Sequence, residues 1–238
     1  MKQLFISLLT LISFASFAQD STINDANAEK RTLSGSFSAI EVSTGIDLYL
    51  TQGNEEAIAV SASDPKYMEH YKTEVVDGTL KIYYQGTSVT WVGSEKRKLK
   101  AYVSFKTLEK LHASSGASVL PQGTLSIDKL DANFSSGASF KGAVNINQLY
   151  VSQSSGSSVD ITGKSNELKI DVSSGAIFKG YDLTTDFCDA KASSGGGVRI
   201  SVNKELSAKA SSGGGIHYKG AAVIKDLNVS SGGSVKKT

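Results

Sequence analysis

Cysteine, histidine, proline and long apolar runs are all scarce in this 238-residue chain, and each scarcity removes an explanation. Cys188 is the only cysteine, so no internal disulfide can form. It falls in a column of leucines described below, which gives it a packing role. The three histidines, His70, His112 and His217, form no cluster with metal-ligand spacing. After the first 18 residues no apolar run is long enough to span a bilayer as a helix. Charge of one sign is missing too: a formal balance of +2 and a pI of about 8.4 are too near neutral to indicate nucleic acid. No motif for a cofactor or a metal stands out. Two prolines beside 23 glycines is an unusual ratio, and Gly/Ser-rich sequence raises the question of a flexible linker.

The first residues, MKQLFISLLTLISFASFAQD, carry Lys2, an apolar stretch from Leu4 to Phe17 and the small-x-small step Ser16-Phe17-Ala18. That is the pattern of a secretory signal peptide, residues 1–18, cut after Ala18. No cysteine follows the cut, so a lipid anchor there is not expected. Residues 19–33 are polar and aperiodic and read as a flexible leader. The remainder, 34–238, reads as one domain, with an N-terminal β segment or cap over 34–105 and repeats over 106–238.

Within 34–105, the short alternating apolar runs from Phe37 to Val60 predict three strands. Asp64-Pro65 starts the one short helical turn, with Asp64 as cap and Pro65 at the first helical position. Lys72–Val76 and Thr79–Tyr84, joined by Asp77-Gly78, predict a hairpin with a type I′ turn. Gly86 to Lys100 is a polar loop, and Ala101–Phe105 a further strand.

From residue 114 the tripeptide Ser-Ser-Gly occurs seven times, beginning at Ser114, Ser135, Ser154, Ser173, Ser193, Ser211 and Ser230, with gaps of 18 to 21 residues. A period near 20 signals a stacked repeat. Counting each repeat from its first serine as zero, offset +5 holds Val119, Phe140, Val159, Phe178, Val198, Ile216 and Val235. Offset −5 holds Leu130, Leu149, Leu168, Cys188 and Leu206 in the five middle copies. Odd offsets are mostly apolar and even ones mostly polar, the period of a strand with one buried face. A linker would not keep a large apolar residue at +5 in every copy. Single coils of this length cannot bury that face alone, so they stack: the fold class is all-β, a single-stranded right-handed parallel β-helix of about seven C-terminal coils. The glycine at +2 fits a backbone needing φ > 0, and parity puts the serine at zero outside and the serine at +1 inside, as an inward hydroxyl stack. A serine repeated seven times has the mark of structure rather than of a nucleophile.

The stretch FSAIEVSTGIDLYLTQG, Phe37 to Gly53, resembles the opening signature of the head GIN domain family, exported bacterial proteins of the auto-transporter adhesin type. The Gly-Ile-Asn/Asp step falls at Gly45-Ile46-Asp47, and the Ser-Ser-Gly rungs are similar to that family as well. The resemblance implies a pectate-lyase-like β-helix without the lyase active site. Because the sequence runs out in its seventh repeat, with no segment for a membrane β-barrel, self-sufficient autotransport is not expected.

Two surface features are candidate ligand sites. Offset +6 reads Leu120, Lys141, Asp160, Lys179, Arg199, His217, Lys236, a predominantly basic stripe able to meet an extended acidic polysaccharide. Its bland reading is a solvated face whose like charges discourage aggregation. Tyr67, Tyr71, Tyr83, Tyr84, Trp91 and Tyr102 crowd beside Lys96-Arg97-Lys98, as sugar-stacking rings would; the bland reading is a cover for the open N-terminal end of the stack. The ligand candidates are therefore Lys141, Lys179, Arg199, His217, Lys236, Tyr83, Tyr84 and Trp91. A lyase would need clustered carboxylates and a base, whereas Asp160, Asp171, Asp189 and Arg199 scatter over different columns. The expectation is a non-catalytic exported protein of the envelope or cell surface that binds carbohydrate or another envelope component. The alternatives are a polysaccharide lyase or hydrolase, and a purely structural, self-associating envelope protein.

Overall fold

The computed structural model describes residues 25–86 and 97–238. The signal peptide, the start of the leader, Trp91 and Lys96 lie outside the described residues. The described residues form seventeen strands in chain order. The first seven are β1 (Glu29–Arg31), β2 (Ala39–Val42), β3 (Asp47–Gln52), β4 (Ala57–Ser61), β5 (Tyr71–Val76), β6 (Thr79–Tyr84) and β7 (Lys100–Phe105). Five more, β8 (Lys110–Ala113), β9 (Ser118–Pro121), β10 (Thr124–Phe134), β11 (Ser139–Gln153) and β12 (Ser158–Val172), begin the repeats. The chain ends with β13 (Ile177–Ala192), β14 (Gly197–Ala210), β15 (Gly215–Lys219), β16 (Val223–Val229) and β17 (Ser234–Lys237).

Each coil leaves a Ser-Ser-Gly corner along one sheet and returns to the next corner along another. The leading sheet runs β1–β4–β7–β3–β9–β11–β12–β13–β14–β15–β17. The trailing sheet runs β5–β6–β2–β8–β10–β11–β12–β13–β14–β16. All pairings are parallel except β1–β4, β4–β7 and β5–β6. This is a parallel β-helix. Its offset columns −5, −3, −1 and +5 are buried through the sixth repeat, Cys188 among them, and burial pushes that thiol's pKa up.

At each corner the second serine has φ of 47–51° and the glycine φ of 70–75°. The residue at +3 donates its N–H to the carbonyl of the first serine at 2.8–3.1 Å, which closes a type I′ turn. The glycine N–H donates to the carbonyl of the second serine of the next corner, from Gly116 N to Ser136 O at 3.0 Å up to Gly213 N to Ser231 O at 3.2 Å. The ladder between coils therefore passes through the turn without a break. The expected inward stack of second serines is corrected by this geometry. Two consecutive left-handed residues turn the chain outward, so these serines are exposed and the inward position passes to +3. Only Ser157, at +3, is an inward corner hydroxyl, and it donates to Phe134 O at 3.0 Å.

The Gly-Ile-Asp step is an eighth such corner. Thr44 (φ 61°) and Gly45 (φ 72°) take the same conformation, Gly45 N donates to Ser115 O at 2.9 Å, and Ile46 is buried in the +3 column. That coil, β2–β3, is not outermost. β2 lies between β6 and β8, and β3 between β7 and β9, so the later β6–β7 coil stacks outside the earlier one. The +3 column then reads Leu99, Ile46, Ala117, Ala138, Ser157, Ala176, Gly196, Gly214 and Gly233, each linked to the next coil by a backbone bond. It narrows toward the C-terminal end until a Cβ at Gly214 would collide with the carbonyl of Ala192.

The N-terminal end is closed by antiparallel strands. β5 covers β6 through the expected hairpin, with Asp77 and Gly78 both at positive φ. The helical turn is a 3₁₀ turn over Pro65–Tyr67, capped by the Asp64 carboxylate on Lys66 N at 2.9 Å. The leader expectation is corrected as well, because β1 within it pairs with β4. Asp25 fastens it: its Oδ2 accepts from Tyr102 Oη and Ser61 Oγ, both at 2.8 Å, and lies 3.4 Å from Lys100 Nζ. These bonds, that of Tyr102 foremost, hold the Asp25 carboxyl down to about 2. At the other end the last coil leaves Val223, Leu227 and Val229 exposed at 69%, 55% and 48%.

Two outcomes are expected. Gly214→Ala lowers stability by about 1–3 kcal/mol, through forced displacement of backbone, and more than Gly213→Ala, which carries the positive φ but meets open space. Urea unfolding of both variants checks this, and the reverse order would show that the corner has room. The Asp25 clasp contributes above the ordinary carboxylate value and is lost as pH falls from about 4 toward 2. Amide protection in β1, measured against the intrinsic exchange rate at each pH, should fall over that window, and in Asp25→Ala it should be low already at neutral pH.

Candidate ligand-binding face

The basic stripe is a real column. Each member follows the buried +5 residue by one, so it points outward, and register pairs Lys141 with Asp160, Asp160 with Lys179, Lys179 with Arg199, Arg199 with His217 and His217 with Lys236. Neighbours in such a ladder are about 4.8 Å apart. Lys141, Lys179, Arg199 and Lys236 are exposed, and Asp160 and His217 half-buried. None of the five basic groups forms an ion pair among the described residues.

The line continues beyond the repeats. Leu120 lies one residue past the Val119–Phe140 pair, Tyr49 pairs with Leu120, and Tyr102 with Tyr49. The rings of Tyr49 and Tyr102 stack at 5.1 Å with 14° between planes. One column on the leading sheet therefore runs from two stacked tyrosines through an aliphatic step into a basic run. Beside it Lys219 sits 4.4 Å over the ring of Tyr181. Sequence reasoning missed Tyr49, although it lies at +6 from Ser43 once Ser43-Thr44-Gly45 is counted as a corner.

The second candidate set does not form one surface. Tyr83 points outward from the trailing sheet and donates to Glu74 Oε1 at 3.0 Å. Tyr84, on the opposite side of β6, packs at the covered end, where Arg97 lies 4.4 Å over its ring and Tyr67 and His70 meet it edge-on at 6.4 and 6.0 Å. Tyr71 is buried. Neither Tyr83 nor Tyr84 joins the basic column.

Asp160 and Arg199 lie on the leading sheet, Asp171 and Asp189 on the trailing one. Among the described residues, no group of three or more His, Cys, Asp or Glu is placed to hold a metal ion, and no helix is long and apolar enough to cross a membrane.

The fold recurs in crystal structures of proteins described as putative adhesins. One from Bacteroides fragilis superposes with a TM-score of 0.79 at 17% identity, covering 89% of this chain and 96% of its own. One from Parabacteroides distasonis gives 0.68 at 20% identity, covering 89% and 96%. A third, described as a putative lipid binding protein from Parabacteroides distasonis, gives 0.62 at 18% identity, covering 90% and 98%. At these identities the likeness is one of fold. No curated relative matches the sequence. The family model "Putative auto-transporter adhesin, head GIN domain" matches residues 36–222, spanning the Gly-Ile-Asp corner and five whole Ser-Ser-Gly coils, so the chain belongs to the head GIN domain family.

Proposed function

We propose that this protein is a non-catalytic binding protein, exported through its N-terminal signal to the periplasm, the cell surface or the medium, that holds an extended anionic polysaccharide of the envelope or its surroundings. The observation that carries the reading is the unbroken register of Lys179, Arg199, His217 and Lys236 on consecutive strands, with the cations unpaired by the described residues. A polymer with one carboxylate per sugar meets such a ladder step for step, since strand spacing is close to the length of one sugar in an extended chain. The stacked pair Tyr49–Tyr102 supplies an aromatic surface on the same line, against which a sugar face can lie. Family membership supports the adhesive part of the reading.

The test is binding of a soluble polyuronate at low and high salt. Affinity should fall steeply with salt, because the charges are exposed and screened. Lys179→Ala with Arg199→Ala should lower it about tenfold at low salt, the order expected for two exposed contacts. Binding indifferent to both changes would sink the proposal, and self-association without polyuronate binding would favour a purely structural role.

A further inference from the structure

Opposite the Ser-Ser-Gly corner the long strands bend a second time, and the bend carries its own column. From β10 to β13, Asp128, Asn147, Asn166 and Asp186 are skipped by the pairing ladder between residues that stay in register on either side. All four stand at the same offset, seven before a Ser-Ser-Gly. Asn203 continues the row where the pairing between β13 and β14 lapses again. Two residues earlier in each coil, a parallel column reads Ser126, Asn145, Lys164 and Thr184. An open groove of about 710 Å³ lies between the two columns, and Ile127, Ile146 and Ser165 contribute to its floor. That volume is in the range of small-ligand sites, and the groove crosses five coils.

We infer that this groove is a second binding site, separate from the basic column, and that its ligand is an extended neutral polysaccharide. The argument is chemical. Asn145, Asn147, Asn166 and Asn203 present amides, each of which donates and accepts, and Ser126 and Thr184 present hydroxyls. Sugar hydroxyls need both roles at every residue of the chain, and the rungs repeat them at strand spacing. Part of the wall is held in place: Asn147 Nδ2 donates to Asp128 Oδ1 at 3.1 Å, and Asn203 Nδ2 to Asp186 Oδ1 at 3.4 Å. Lys204 Nζ lies 2.7 Å from Asp186 Oδ2, and its bond keeps that carboxyl below its ordinary range. By contrast the side chains of Asn145, Lys164 and Asn166, in the middle of the groove, make no hydrogen bond or ion pair among the described residues. Fixed ends and free central groups are what a chain lying lengthwise requires.

Charge sets this ligand apart from that of the basic column. The lining carries Asp128 and Asp186 against Lys164, and Lys204 pairs with Asp186, so the groove is close to neutral and offers a polyanion no row of cations. A peptide is a poor fit as well, because the backbone beneath is already paired to neighbouring coils and offers no edge for strand addition. Among the described residues no aromatic side chain lines the groove, so the sugars would be held by their hydroxyl edges.

The experiment titrates the ¹⁵N-labelled mature protein with hexasaccharides of β-1,4-glucan, β-1,4-xylan and α-1,4-glucan at low and high salt. The expected result is saturable binding of at least one, tighter than about 1 mM, with shifts centred on Asn145, Asn147 and Asn166 and little change with salt. Asn145→Ala with Asn166→Ala should weaken it about tenfold at unchanged melting temperature, since neither side chain is bonded among the described residues. Lys179→Ala with Arg199→Ala should leave it alone, which separates this site from the polyanion proposal. Absence of saturable binding by all three, shifts located elsewhere, or binding lost with salt and with the lysine and arginine would each overturn the inference. If the asparagine variant fails to fold, the shift map of the native protein decides.

Discussion

Two consecutive left-handed residues at every corner set the geometry on which the rest of this molecule depends. A serine at φ near 50° costs about 1–2 kcal/mol relative to an ordinary turn residue, and the chain accepts that cost seven times, with Thr44 as an eighth instance. What offsets it is local. Each of the seven Ser-Ser-Gly turns closes one bond on itself and receives one from the neighbouring coil, each contributing about 0.5–1.5 kcal/mol net. Because the inter-coil bond runs through the corner, each turn is positioned by its neighbours as well as by its own sequence. The glycine follows as a requirement, since the second left-handed position has no room in conformation for a β-carbon without further strain.

The parts of the fold visible in the sequence are those governed by strand parity. The +5 and −5 columns, Cys188 in its leucine row, and the basic stripe at +6 all follow from alternation, which the strands obey. The Asp77-Gly78 hairpin and the Asp64 cap follow from local turn chemistry. Parity fails where the chain leaves the strand. Carried across Ser-Ser-Gly it places the second serine inside, whereas a type I′ turn spends three residues outside before the chain points inward again. The eighth corner escapes notice because Thr44 replaces serine, and with it the place of Tyr49 on the basic column. Asx residues recurring seven positions before four successive Ser-Ser-Gly copies, Asp128, Asn147, Asn166 and Asp186, were a readable sign of the second bend, since Asp and Asn favour turns. The stacking of β6–β7 outside β2–β3 had no such sign: it is a long-range choice between coils that local pattern does not encode.

The two ends of the stack meet the same problem differently. At the N-terminal end, β5 and the pair β4 and β1 reverse direction over the last parallel strands, and Asp25 binds the outermost of them to side chains of β4 and β7. At the C-terminal end the core columns simply continue to Leu227 and Val229 at the surface. There the edge strands carry Lys225, Lys236 and Lys237, and charged residues on an edge oppose pairing with another strand. Lys236 belongs both to this edge and to the basic column, so charge that discourages self-pairing also extends the proposed binding face.

A stack of equivalent coils presents every outward residue as one member of a row, and this limits what such a surface can recognise. Compact ligands gain little from repetition, because only one or two rungs touch them. A chain whose own repeat is close to the strand spacing gains at each rung, and weak contacts worth little singly add along its length. The sequence then varies the rows rather than the architecture: cations at +6 on the leading sheet, amides at the second bend. Substituting within a row changes the outward chemistry without touching the +3, +5 and −5 columns that hold the coils together. The second serines of the corners lie outside those columns, in one repeated conformation. Such a separation allows a fold to persist while outward rows differ, and this fold recurs in proteins at 17–20% identity.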